Sequence, residues 1–184
     1  MYKKNWLKNQ RRIYTLCILL SFFLSGCGYF AYQETFIDPA TYSEIWSLSG
    51  VDSGFEQGTS IFPSSISDLD VEEYYCRYDE QLPLGIGFQV LLKIHYPNSD
   101  AFINEVERIT SLGFSCDEHF EEISGHIYAT KFADSYSFEY AIIDQNEQAL
   151  YYIFLQDIPE EEIEFDHHYL PKNYSDLTQE WVFD

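Results

Sequence analysis

Residues 160–168 read Glu-Glu-Glu-Ile-Glu-Phe-Asp-His-His, five carboxylates followed by two imidazoles. Oxygen and nitrogen donors at this density are what a divalent cation takes as ligands. Glu164, Asp166, His167 and His168 are therefore the candidate metal ligands. Two features weigh against tight binding. Adjacent side chains on an extended chain point to opposite sides, and no further ligand stands at fixed spacing from the imidazoles. The same residues also suit a solvated acidic flank whose Ile163, Phe165 and Tyr169 dock on a sheet.

Two more acidic groups occur, Asp68, Asp70, Glu72 and Glu73, then Asp117, Glu118, Glu121 and Glu122, and neither has the order of a calcium loop. A carboxylate pair hydrolysing glycan or peptide is the second chemistry open to such residues. Nucleophile signatures are missing: there is no Gly-x-Ser-x-Gly, no Ser-x-x-Lys and no His-Glu-x-x-His. No catalytic residue is assigned and no cofactor is expected. His95 and His119 stand alone. Gly85-Ile86-Gly87 precedes a strand pattern and reads as a turn, not a phosphate loop. Flat rings stack on sugars, so Trp46, Tyr75, Tyr128 and Tyr151 are candidates for a glycan platform wherever they are exposed.

The elements that must position these residues are legible from periodicity. Alternation predicts strands over Val71–Tyr78, Phe88–Tyr96, His126–Phe132, Tyr136–Ile143 and Ala149–Gln156. The last is apolar on both parities and should be central, or covered on its second face. Between the second and third strands, Asn98 or Ser99 caps a helix along which Phe102, Val106, Ile109 and Leu112 recur at helical spacing, with Gly113 as its stop. The expected fold is α+β, an antiparallel sheet of about five strands in the order β-β-α-β-β-β with one long helix packed on one face. Residues 28–59 show no sustained period and read as a tether. Within it Asp38 caps a short helix begun by Pro39, presenting Tyr42, Ile45 and Trp46 to the domain.

The chain has 184 residues and a formal charge of −21, unevenly divided. Lys3, Lys4, Lys8, Arg11 and Arg12 precede an apolar run from Ile13 to Leu24, and all 31 acids lie after Cys27. Twelve helical residues rise about 18 Å, short of the roughly 30 Å hydrocarbon core, so the layout is that of a signal peptide. Leu24-Ser25-Gly26-Cys27 resembles the lipobox of bacterial lipoproteins, in which the cysteine receives a diacylglyceryl group before cleavage on its N-terminal side.

The resemblance implies a signal peptide over 1–26, lipid on Cys27, a tether over 27–59 and a domain over 60–184 with an acidic tail. The mature protein would be held at the cell membrane on its extracytoplasmic face. Its charge, with only five cations left against 31 acids, would be −26. Such a surface repels phosphate backbones and excludes nucleic acid as a partner. Cys76 and Cys116 remain, and a disulfide between them would close a loop of about 40 residues and contribute on the order of 4 kcal/mol; two buried thiols are the other reading. The expected function is a non-catalytic binding or interaction module at the envelope, its partner a protein or a glycan. The alternatives are a carboxylate-dependent hydrolase and a cation-binding tail.

Overall fold

The computed structural model describes residues 30–51, 55, 60–82, 85–112, 127–134 and 137–175. The leader, Cys27, Cys116, His119, Gly113 and the acidic group at 117–122 lie outside them. The five expected strands are present, with a sixth added. They are β1 (Phe30–Phe36), β2 (Asp70–Leu82), β3 (Gly85–His95), β4 (Ile127–Asp134), β5 (Ser137–Asp144) and β6 (Ala149–Gln156). Every neighbouring pair is antiparallel, in the order β1-β2-β3-β6-β5-β4.

β6 lies between β3 and β5, as its two apolar parities require. Leu150, Tyr152 and Phe154 join Tyr74, Cys76, Tyr78, Phe88, Val90, Leu92 and Ile94 in the core on one face. Ala149, Tyr151, Ile153 and Leu155 join Leu91, Phe138, Tyr140 and Ile142 on the other. Each large apolar side chain so buried contributes about 1.5–3 kcal/mol. That two-sided demand explains why the chain after β6 folds back. Ile158, Ile163, Phe165, Leu170 and Tyr174 are all buried over the second face.

The first face is not covered by one long helix. Helix α1 (Tyr42–Ile45) has 4 residues and α2 (Ser99–Ser111) has 13. Six strands about 4.8 Å apart span about 24 Å, and a helix about 10 Å across cannot cover that. α2 starts where the sequence indicates: Asn98 accepts hydrogen bonds from the N–H groups of Asp100 and Ala101, at 2.8 and 3.4 Å. It buries Phe102 and Ile109. The remainder of the layer is Tyr42, Ile45 and Trp46, together with Ile61, Phe62 and Ile66.

Much of the expected tether is thus part of the domain. Phe30 to Phe36 pairs along β2 in unbroken register from Phe30 opposite Leu82 to Phe36 opposite Cys76. An exposed β2 edge would leave a row of unpaired backbone groups, which β1 satisfies. Asp38 caps the turn at Pro39 as expected, its Oδ1 accepting from the Ala40 N–H at 2.9 Å. The patch beyond it docks fully, with Tyr42, Ile45 and Trp46 2%, 0% and 4% exposed.

Candidate functional site

A cleft of about 520 Å³ opens where α2 crosses the segment 60–69, lined by Phe55, Ser60, Phe62, Pro63, Ser64, Ser65, Leu69, Tyr96, Ala101, Asn104, Glu105 and Arg108. Tyr96, just past the end of β3, forms its floor, and its two walls are the helix and the loop. Spacing explains the helical wall. Ala101, Asn104, Glu105 and Arg108 lie three or four residues apart and share a face.

The floor and the walls are tied by one polar network. Glu105 Oε2 accepts from Arg108 Nε at 2.8 Å and Oε1 accepts from Arg108 Nη2 at 2.7 Å. Such a bidentate pair fixes geometry as well as charge. Tyr152 Oη, fully buried on β6, donates to Glu105 Oε1 at 2.6 Å and lies 3.2 Å from Tyr96 Oη. Burial pushes the Tyr96 phenol up to about 12, partly offset by its bond to Tyr152. Tyr152 is pushed well above the ordinary range, by burial first and then by Tyr96 and Glu105. Arg108 is raised above its ordinary value by its bonds to Glu105, against the opposing effect of burial. Both tyrosines stay neutral donors, and the guanidinium stays charged.

The loop wall hangs from the backbone on either side of Ile61. Its N–H donates to Glu139 Oε1 at 2.7 Å, and its carbonyl accepts from Arg108 Nη2. The Ser60 hydroxyl also donates to Glu139, whose side chain sits in the core between β5 and the loop. A strand carboxylate and a helix guanidinium therefore grip Ile61 through the two successive peptide groups that flank its Cα. The side chains of Asn104 and Ser64 make no hydrogen bond among the described residues, which leaves an amide and a hydroxyl in the lining beside Phe55 and Phe62.

The residues singled out from sequence lie elsewhere. Glu164 accepts from Tyr75 Oη at 2.7 Å and pairs with Arg77 Nη1 at 2.5 Å, and Arg77 Nε reaches Asp79 at 2.6 Å. Asp166 caps a short turn, and the His168 backbone N–H bonded to it holds its carboxyl below the usual range. The His168 ring lies 2.8 Å from Asp166, while His167 faces Glu160 at 3.7 Å. Among the described residues no group of three His, Cys, Asp or Glu side chains is arranged to hold a metal ion. Of the four candidates, Glu164 fastens the C-terminal segment to β2, while Asp166, His167 and His168 bond to residues of the segment itself. Gln89, fully buried on β3, completes that fastening by donating to the Glu162 carbonyl and accepting from the Glu164 N–H, both at 3.0 Å.

Of the ring candidates, Trp46 and Tyr151 are buried and Tyr75 is half-buried against Glu164; the Tyr128 side chain lies outside the described residues. His95 sits at the end of β3 beside Asp70, 3.3 Å away. Cys76 is a free thiol, fully buried, and burial together with nearby Glu34 pushes its pKa up. The cleft groups Glu105, Arg108, Tyr96 and Tyr152 were not legible as a site. The signal present was an acid three residues before one of only five cations beyond Cys27.

No helix among the described residues is long and apolar enough to cross a membrane. The chain matches no protein-family model, no curated protein and no solved structure.

Proposed function

We propose that the chain is a lipid-anchored extracytoplasmic binding module that holds an uncharged polar ligand, a saccharide unit of an envelope glycan, in the cleft between α2 and the segment 60–69. The cleft's chemistry carries the reading. Its one charged pair, Glu105 with Arg108, is internally neutralised, so neither an anion nor a cation gains there. A ligand with hydroxyls for Asn104 and Ser64 and an apolar face for Phe55 and Phe62 fits its lining.

The hydrolase alternative has less support. The lining of the cleft includes a single carboxylate, Glu105, and both of its oxygens already accept hydrogen bonds from Arg108 and Tyr152. Anchoring is supported by the run Ile13–Leu24 ending in Leu24-Ser25-Gly26-Cys27. Two acyl chains hold stably where one holds marginally.

Two experiments test the two halves. Radiolabelled fatty acid should enter the wild-type protein and be absent from Cys27→Ala; equal labelling defeats the anchor. Calorimetry with N-acetylhexosamine oligosaccharides should show saturable heat that Asn104→Trp, which fills the cleft without breaking a hydrogen bond, abolishes. An unchanged isotherm in that variant, or no heat in the wild type, defeats the ligand assignment.

A further inference from the structure

β1 covers the edge of β2 and takes on the same liability itself. The sheet ends at β1 on one side and at β4 on the other, and among the described residues no strand pairs with the outer side of either. An edge strand is a template for further pairing unless a lysine, a proline or a bulge blunts it. β4 has two of these: Lys131 lies in the middle of its sequence, and its register with β5 shifts between Phe132 and Asp134. β1 has none. Phe-Ala-Tyr-Gln-Glu-Thr-Phe contains no Lys, Arg or Pro, and its 7 residues run along β2 without a shift. Two of the large hydrophobic side chains exposed among the described residues lie here, Tyr32 at 51% and Ile37, one residue past the strand, at 73%.

The order of residues in β1 indicates what would pair with it. Two copies of one strand meeting antiparallel are related by a two-fold axis. Successive pairs in an antiparallel ladder alternate between two kinds, so that axis must pass through a residue facing its own copy. With Gln33 on the axis all 7 residues pair: Phe30 faces Phe36, Ala31 faces Thr35 and Tyr32 faces Glu34. The strand is thus matched to itself, aromatic to aromatic at its ends and hydroxyl to carboxylate between them. Tyr32 already donates to Glu34 within one chain, and the pairing offers the same acceptor from across the seam. Centring on Glu34 would set the carboxylate against its own copy, which destabilises. Centring on Tyr32 would shorten the ladder and set Phe30 against Glu34.

We infer that two copies of the chain associate at this edge, β1 against β1 about an axis at Gln33, so that one six-stranded sheet continues into the next. The axis stands perpendicular to the sheet, and each face of one copy continues in the same face of the other. Neither the lipid nor the cleft ligand is needed for it. Gln33 is exposed and its side chain makes no hydrogen bond among the described residues, which leaves two amides to pair across the axis. Charge opposes the contact. Glu34 stands diagonal to its copy, about 7–8 Å away backbone to backbone, and Glu80 lies one strand further back, opposite Tyr32. Backbone hydrogen bonds supply the attraction, along a ladder about 23 Å long. Association should therefore tighten as salt screens the carboxylates, the reverse of an interface held by ion pairs.

Sedimentation equilibrium of the full chain in a density-matched non-ionic detergent tests this. The protein mass should rise to that of two chains with concentration, and the midpoint should move to lower concentration as sodium chloride is raised. Tyr32→Glu, which sets a carboxylate against Glu34 on both sides of the axis, should hold the mass at one chain; adding Glu34→Lys turns both contacts into ion pairs and should restore two. A wild type that stays at one chain, a mass beyond two, loosening by salt, or a Tyr32→Glu variant that still dimerises overturns the inference. Single cysteines in a Cys116→Ser background, oxidised and compared with that background alone, read the register; Cys76 is buried. Gln33→Cys should cross-link, because facing residues have Cα atoms about 4.5–5.5 Å apart, within reach of a disulfide. Ile37→Cys should not, since its copy lies about 26 Å along the ladder. Cross-linking at residue 37, or none at residue 33, overturns the inference as well.

Discussion

Truncating Trp46 to Ala tests whether residues 30–51 belong to the domain or merely lead to it. The indole is 4% exposed and has five aromatic neighbours. It stacks on Phe55 with centroids 4.8 Å apart and meets Phe62, Phe88, Phe154 and Tyr42 edge-on at 4.9–6.1 Å. A buried Trp→Ala change costs about 3–5 kcal/mol, a large share of the 5–15 kcal/mol typical of a folded domain. With a urea dependence of about 2 kcal/mol per molar, the unfolding midpoint should fall by about 2 M. Ile37→Ala is the internal control. It lies in the same segment but is 73% exposed, and surface changes stay within about 0.5 kcal/mol. Circular dichroism monitors both variants. Were Trp46→Ala to shift the midpoint no more than Ile37→Ala does, the aromatic layer would not be docked, and the segment would be the tether that its sequence suggests.

Gln89→Leu should cost about 2–4 kcal/mol, because it leaves the Glu162 carbonyl and the Glu164 N–H without their partner; hydrogen exchange should rise over residues 158–174 before it rises in β3. Gly50→Ala should cost about 2–4 kcal/mol, since φ is +79° and the added carbon would lie 2.0 Å from Ile86 Cδ1. Thermal melts check it, and an unchanged midpoint would refute the turn. Alkaline pH should unfold the domain steeply. Burial raises the phenols of Tyr96, Tyr140 and Tyr152, so their stabilisation is complete below pH 10 and declines as pH rises. For Tyr96 the loss runs between pH 10 and about 12, at about 1.4 kcal/mol per pH unit. Absorbance at 295 nm should therefore show a late, cooperative tyrosine step coincident with unfolding.

The strands with two-residue alternation, or with apolar residues on both parities, were readable because burial on a pleated sheet imposes that period directly. β3 and β6 are examples. β1 was not readable, because an edge strand buries little: Phe30 and Phe36 share a parity with Tyr32 and Glu34, and nothing in that mixture separates a strand from a linker. Its partner, not its own composition, makes it a strand. The cleft was hidden for a different reason. Tyr96 and Tyr152 fall at core spacing, and the functional distinction between a core phenol and a site phenol lies in which hydroxyl meets Glu105, a contact with Tyr152 across 47 residues of sequence.

What was present in the sequence, and informative in retrospect, is the scarcity of positive charge. Beyond Cys27 a surface of −26 has five cations with which to offset its self-repulsion. Three of them join separate pieces of the chain. Arg77 ties β2 to the C-terminal segment through Glu164, Lys93 ties β3 to Glu72 on β2 and to Glu147 before β6, and Arg108 ties α2 to the loop at Ile61. In so acidic a chain a cation placed freely on the surface would relieve repulsion almost anywhere, so its position is weakly constrained by charge alone. Positions at which one guanidinium meets both a carboxylate and a backbone carbonyl are constrained by geometry. Arg108 is such a position, and for that reason the helix, the loop and the cleft between them should be lost together when it is replaced.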